Sequence, residues 1–149
     1  LEYKKNFLKK LIYQLKKNKS RVSLFIEPRT KDIKISKNLN VDCVEIHTGK
    51  FCNLVNKKKN YKKELNKIKR AVELGNQIGL EVHAGHGITY ESAKILSKIK
   101  YINEFNIGHF LIGESIFYSL KTVIKKFKKI IKWIWIFMAM ELISLKLKE

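Results

Sequence analysis

The sequence predicts an α/β fold built on a parallel sheet, and three observations predict it. Apolar runs of strand length alternate with segments of helical periodicity over the first 131 residues. The runs are near-continuous, as in strands covered on both faces. Polar or glycine-bearing loops follow them, where parallel α/β proteins carry their chemistry. Strand, helix, strand in succession means parallel pairing with right-handed crossovers. The short, regular period fits a (β/α) barrel or a doubly wound sheet. No Gly-rich dinucleotide fingerprint follows the first strand, which lowers the second option. A full barrel takes about 250 residues and eight strands. Four strands are counted in these 149 residues, so the chain reads as half a barrel.

In order, Leu1 to Lys17 reads as an amphipathic helix, with Phe7, Leu8, Leu11, Ile12 and Leu15 on one face. Asn18-Lys19-Ser20 breaks it, and Arg21 to Ile26 is the first strand, ended by Pro28. Thr30 or Asp32 caps a short helix to about Leu39. Val41 to Ile46 is the second strand and runs into the polar loop His47-Thr48-Gly49. Asn53 to Asn60 is rich in Lys and Asn and reads as exposed. A long helix covers Tyr61 to Ile78, with Leu65, Ile68, Val72 and Leu74 or Gln77 near its inner edge and Gly79 as C-cap. Leu80 to Ala84 is the third strand, Tyr90 to Ile99 a helix, and Ile102 to Ile107 the fourth strand. Phe110 to Ile131 holds a final long helix with the stripe Val123, Ile124, Phe127, Ile130 and Ile131. The apolar run Trp133 to Met140 breaks the pattern and is too short for a bilayer span of roughly 20 residues. A helix packed on the body or on another subunit is favoured there over one lying on a membrane surface.

Composition narrows the function classes. Hydrophobic residues make up 45% of the chain, which argues against disorder, and the net charge is +19. The excess is nearly all Lys; the arginines are Arg21, Arg29 and Arg70. Base reading and bidentate phosphate clamps favour Arg. A solvated lysine coat is therefore preferred to a nucleic-acid surface, although the field still draws in anionic substrates. Cys43 and Cys52 form neither a disulfide framework nor a metal knuckle, and no secretory signal opens the chain. A cytoplasmic setting is expected. The chain starts with Leu rather than Met, as a piece of something longer would.

The stretch His83-Ala84-Gly85-His86-Gly87 organises the rest. Glycine lets backbone approach a ligand, and imidazole moves a proton near neutral pH. A second pair, Gly108-His109, follows the fourth strand. The strand ends thus carry Glu27, then Glu45 with His47 and Thr48, then His86 with Gly87, then Gly108 with His109. Backbone N–H groups at Gly87, Gly108 and His109 suit a phosphate dianion, helped by the start of the final helix. Glu45 lies in an apolar strand, so burial raises its pKa unless a partner holds it charged. A carboxylate paired with a core lysine is the plain alternative to catalysis. His86 is the stronger catalytic candidate. His83 points to the other side of the strand by alternation and reads as structural. No spacing argues for a metal among His47, His86 and His109.

These residues carry a resemblance. Arg21 to Ile26, Glu45-Ile46-His47-Thr48-Gly49, Ala84-Gly85-His86-Gly87 and Asn106-Ile107-Gly108-His109 together resemble pyridoxine 5'-phosphate synthase in order and spacing. The likeness covers about residues 1–130 and corresponds to the C-terminal half of that enzyme. It implies a (β/α)8 TIM-type barrel of which residues 1–131 supply the C-terminal four βα units, with residues 132–149 a tail without counterpart. It further implies an octamer and no metal or organic cofactor. The implied reaction condenses 3-amino-2-oxopropyl phosphate with 1-deoxy-D-xylulose 5-phosphate to pyridoxine 5'-phosphate, phosphate and water. Phosphorylated small molecules are then the partners, and neither nucleic acid nor membrane is expected.

Carried across, His86 resembles the proton donor and Glu45 the carboxylate that stabilises the transition state. Gly87, Gly108 and His109 resemble the substrate and phosphate contacts. The family's Asn-x-Asp-His motif, its other catalytic His and Glu, its phosphate-binding Arg residues and a strand-end Thr have no match in this sequence. His83 stands where Asn is common, and Glu114 where many members have Arg. Half of the catalytic groups are thus lacking, and these residues are expected to be incomplete for turnover alone.

Overall fold

The computed structural model of the chain describes residues 4–131, 135–139 and 144–147. Four βα units follow one another. After α1 (Lys5–Lys17) come β1 (Ser23–Ile26) with α2 (Thr30–Asn38), and β2 (Cys43–His47) with α3 (Gly49–Asn56) and α4 (Lys62–Gln77). Then come β3 (Glu81–Gly85) with α5 (Tyr90–Leu96), and β4 (Glu104–Asn106) with α6 (His109–Tyr118) and α7 (Leu120–Ile130). The four strands pair in parallel in sequence order. This is the partial parallel barrel that the alternation of segments predicts.

The two faces of the sheet differ. Val44, Ile46, Val82, Ala84 and Phe105 are fully buried in one apolar core with side chains from the helices, among them Ile33, Ile68, Val72, Leu96 and Phe127. The other face is a set of rows. Phe25, Glu45, His83 and Glu104 stand in register across the four strands. His47, Gly85 and Asn106 form the next row toward the carboxyl ends. That face is therefore polar, unlike the doubly apolar strands expected from the near-continuous runs. Phe25 is 55% exposed on it. Period-two alternation, Val-x-Leu-x-Ile against Ser-x-Phe, is the pattern that operates here.

Four further readings change. His83 lies on the same face as Glu45, directly across in register, rather than on the opposite side. Alternation counted from His86 puts His83 on the other side, but β3 ends at Gly85 and His86 has φ +75°, so the strand period does not extend that far. An unforeseen helix, α3, follows Thr48; only Phe51 and Cys52 of its residues are buried, too few to show a period. The final helix is two. Ser119 breaks it at φ +63°, and its hydroxyl accepts from the Thr122 N–H at 3.4 Å as the N-cap of α7. The expected C-terminal helix over Trp133 to Met140 lies partly outside the described residues; its described part, Trp135–Ala139, is a strand, β5. β5 pairs parallel with β4, and β6 (Ser144–Leu147) pairs antiparallel with β5. Trp, Ile and Phe suit a strand, and the edge of β4 offers it unpaired backbone groups. Residues 1–3 of the expected first helix also lie outside the described residues.

Candidate functional site

The carboxyl ends of the four strands converge on one cavity of about 360 Å3, lined by Phe25, Glu45, His86, Gly87, Ile88, Asn106, Gly108, His109 and Phe110. All five residues singled out from sequence, His86, Glu45, Gly87, Gly108 and His109, border it. The loops after β3 and β4 thus share one cup.

Glu45 reaches the cup from the middle of β2. Its carboxylate lies over Gly85, where a Cβ would come within 1.9 Å of Oε1. The missing side chain at Gly85 is what makes room for the acid. Asn106, next to Gly85 in register, donates from Nδ2 to Glu45 Oε2 at 2.6 Å. Burial pushes the Glu45 carboxyl above the usual carboxylate range, against the pull of the Asn106 amide and of His47. The alternative of a core lysine as its partner does not hold; an amide is the partner.

His86 and Gly87 are consecutive left-handed residues, at φ +75° and +76°. Glycine takes this conformation freely; a histidine there is strained and needs outside support. Thr48 supplies it. Fully buried, it sets Oγ1 2.8 Å from the Gly85 carbonyl oxygen and 2.9 Å from that of His86, while its own N–H donates to Gly85 at 2.8 Å. The Cys52 thiol points at the same hydroxyl at 3.5 Å. Gly49 closes the turn: a Cβ there would lie 2.6 Å from the His86 ring and 2.9 Å from His47 Nε2. The His47 and His86 rings are 4.7 Å apart, with Phe25 packed edge-on against His47 at 5.1 Å. His47 Nδ1 lies 2.9 Å from Glu27 Oε1, which ties the ends of β1 and β2 together.

On the far side of the cup, Gly108 is the N-cap of α6 and His109 its first residue. A ten-residue helix aims unpaired N–H groups and a partial positive charge at this end, which favours an anion. His86 and His109 are the imidazoles of the lining.

Deeper in the sheet, Arg21, Glu81, His83 and Glu104 form a chain of polar contacts. Arg21 holds Glu81, and the ring of His83 faces Glu81 at 2.8 Å from Nε2 and Glu104 at 3.3 Å from Nδ1. Despite partial burial, Arg21 and His83 bring the Glu81 carboxyl below its usual value. Glu81, His83 and Glu104 are the one grouping with metal-ligand spacing among the described residues. Each ring nitrogen faces a different carboxylate, and Arg21 already neutralises one acid, so the donors are committed to each other. Burial also raises both Cys43 and Cys52, which leaves them poor nucleophiles.

Sequence reasoning gives Asn106 no part in the site, and it names Thr48 and Gly85 at the strand ends without the roles they take there. Asn106 falls inside the sequence-predicted fourth strand, yet it stands two residues beyond Glu104 on the same face. Glycine at 85 suggests backbone freedom from sequence, whereas its value is the space it leaves for Glu45.

A parallel sheet of βα units with its polar groups gathered at the strands' carboxyl ends places the chain among the βα-barrel proteins. The family model "Pyridoxal phosphate biosynthesis protein PdxJ" matches residues 1–133, and the chain belongs to that family. It is 56% identical over 126 residues to the pyridoxine 5'-phosphate synthase of Pelagibacter ubique (strain HTCC1062), covering 85% of this chain and 53% of the relative. The synthase of Sulfurihydrogenibium sp. (strain YO3AOP1) is 42% identical over 85% of this chain and 51% of its own length. That of Zymomonas mobilis subsp. mobilis (strain ATCC 31821 / ZM4 / CP4) is 44% identical over 81% and 46%. The chain spans about half the length of these relatives. Among the described residues no helix is long and apolar enough to cross a membrane.

Proposed function

We propose that this chain is the C-terminal half of a pyridoxine 5'-phosphate synthase barrel, a transferase-class enzyme of the cytoplasm. The whole barrel joins 3-amino-2-oxopropyl phosphate to 1-deoxy-D-xylulose 5-phosphate, releasing phosphate and water. The observation that carries the reading is the shared cup: a carboxylate, an imidazole and a helix N-terminus border one cavity. In this reading Gly87, Gly108 and His109 offer backbone N–H groups to a substrate phosphate, and the α6 terminus stabilises its charge. His86 is the proton donor. Expulsion of water needs a proton on the departing oxygen, and imidazole delivers one near neutral pH. Glu45, ionised, stabilises positive charge that develops on the substrate. The lysine-rich surface draws the anionic substrates in. Assembly into an octamer follows the family, with no organic cofactor or metal and with neither nucleic acid nor membrane as partner.

The test is ring closure with both phosphorylated substrates. The chain is mixed with the N-terminal half of the Pelagibacter ubique relative. Product formation that His86→Ala abolishes supports the reading; no product from a folded, assembled pair rejects it. A second reading, a phosphate-binding protein without turnover, is favoured by the helix N-terminus and the glycine backbone that border the cup. It predicts phosphate binding that His109→Pro, which removes the N–H at the first position of α6, weakens, with no product from any mixture.

A further inference from the structure

We propose that Asn106 is the positioning residue of the Glu45 carboxylate, aiming it into the cup and favouring its ionised form. The proposal deepens the reading of Glu45 given above and rests on it for its catalytic meaning, though not for its physical content.

The geometry points to a built seat. Glu45 and Asn106 come from β2 and β4, with β3 between them. They touch only because Gly85, the β3 residue in register with Asn106, has no side chain. A Cβ on Gly85 would press on Glu45 Oε1 from one side and come within 3.1 Å of the Asn106 Cβ on the other. The carboxylate therefore lies in a slot floored by glycine and walled by the amide. Only an N–H end of an amide donates to a carboxylate, so the 2.6 Å contact orients the Asn106 side chain with Nδ2 toward the acid. Hydrogen bonds to a charged acceptor are the strong ones, and this one sits where burial opposes ionisation. His47 helps through its field, but its Nδ1 is turned to Glu27. Across the row, His83 is directed to Glu81 and Glu104. Asn106 is thus the group in direct contact that favours the ionised acid, and it lines the same cavity.

The experiment follows the Glu45 side-chain carboxyl by 13C NMR as pH varies, in the full chain and in Asn106→Leu and Asn106→Asp. Asn106→Leu keeps the shape and removes the donor; it is expected to bind the Glu45 proton about tenfold more tightly. Asn106→Asp sets a like charge beside Glu45 and is expected to move the titration further in the same direction. In the unsubstituted chain the Asn106 side-chain amide resonance should titrate together with Glu45 and stop doing so in Glu45→Gln. Unmoved Glu45 titrations in both variants overturn the proposal. So does an Asn106 amide blind to Glu45, a measurement that decides the matter even if both variants fail to fold. In the assembled enzyme, Asn106→Leu should lower kcat with little change in KM and shift the acid limb of the pH profile upward. Absence of turnover in the parent rejects the proposed reaction and leaves the NMR result standing.

Discussion

The Thr48 hydroxyl oxygen lies 2.9 Å from the carbonyl oxygen of His86, linking the end of β2 to the left-handed turn that presents the imidazole. A fully buried threonine at the first loop after β2 thus holds a histidine 38 residues further along the chain.

Thr48→Val tests that link, because valine keeps the shape and loses the hydroxyl. The His86 carbonyl and the Cys52 thiol then lose a partner while the Gly85 carbonyl keeps the Thr48 N–H, and the expected loss of stability is about 1 kcal/mol. Chemical denaturation reads the loss. Amide hydrogen exchange should speed up at His86 and Gly87 more than at the α4 core. Uniform protection across the chain contradicts the assignment.

Gly85→Ala tests the slot. The added methyl conflicts chiefly with the far end of the flexible Glu45 side chain and presses the Asn106 Cβ by a few tenths of an ångström, so the acid yields most. The stability loss should sit near the low end of the overpacking range, about 1 kcal/mol. The Glu45 carboxyl, displaced toward water, should titrate closer to an ordinary carboxylate. A Glu45 titration identical to the parent shows that the slot is not as described.

The raised pKa of Glu45 makes a signed prediction. A folded-state value above the unfolded one means the native state holds the proton more tightly. That contribution is complete below the ordinary carboxylate value of about 4.3 and is lost as pH rises through the native pKa. Glu45→Gln has no charge to bury. Its melting temperature should match the parent in acid, below that value, and exceed it at neutral pH. A variant less stable than the parent at neutral pH contradicts the burial argument.

The order of elements was legible because each strand and long helix repeats its own period: Ile68 and Val72 on α4, Val123 and Phe127 on α7. The strand-end chemistry was legible because Gly and His are uncommon together after an apolar run. What stayed hidden depends on distance across the sheet. Nothing local marks Asn106 as the partner of Glu45, since their contact passes over Gly85 on a third strand. The break at Ser119 was hidden because apolar and lysine residues continue on both sides of it, and a serine cap is a weak letter beside them. His83 was misplaced by extending a strand period past the point where His86 turns left-handed.

The most direct test of the shared cup is a titration of the 15N-labelled chain with inorganic phosphate, followed by amide shifts. The account predicts that Gly87, Gly108 and His109 move together along one saturating curve, while Lys9 and Tyr13 on α1 stay still. Shifts scattered over the lysine surface, or Gly87 and His109 responding with unrelated affinities, contradict it.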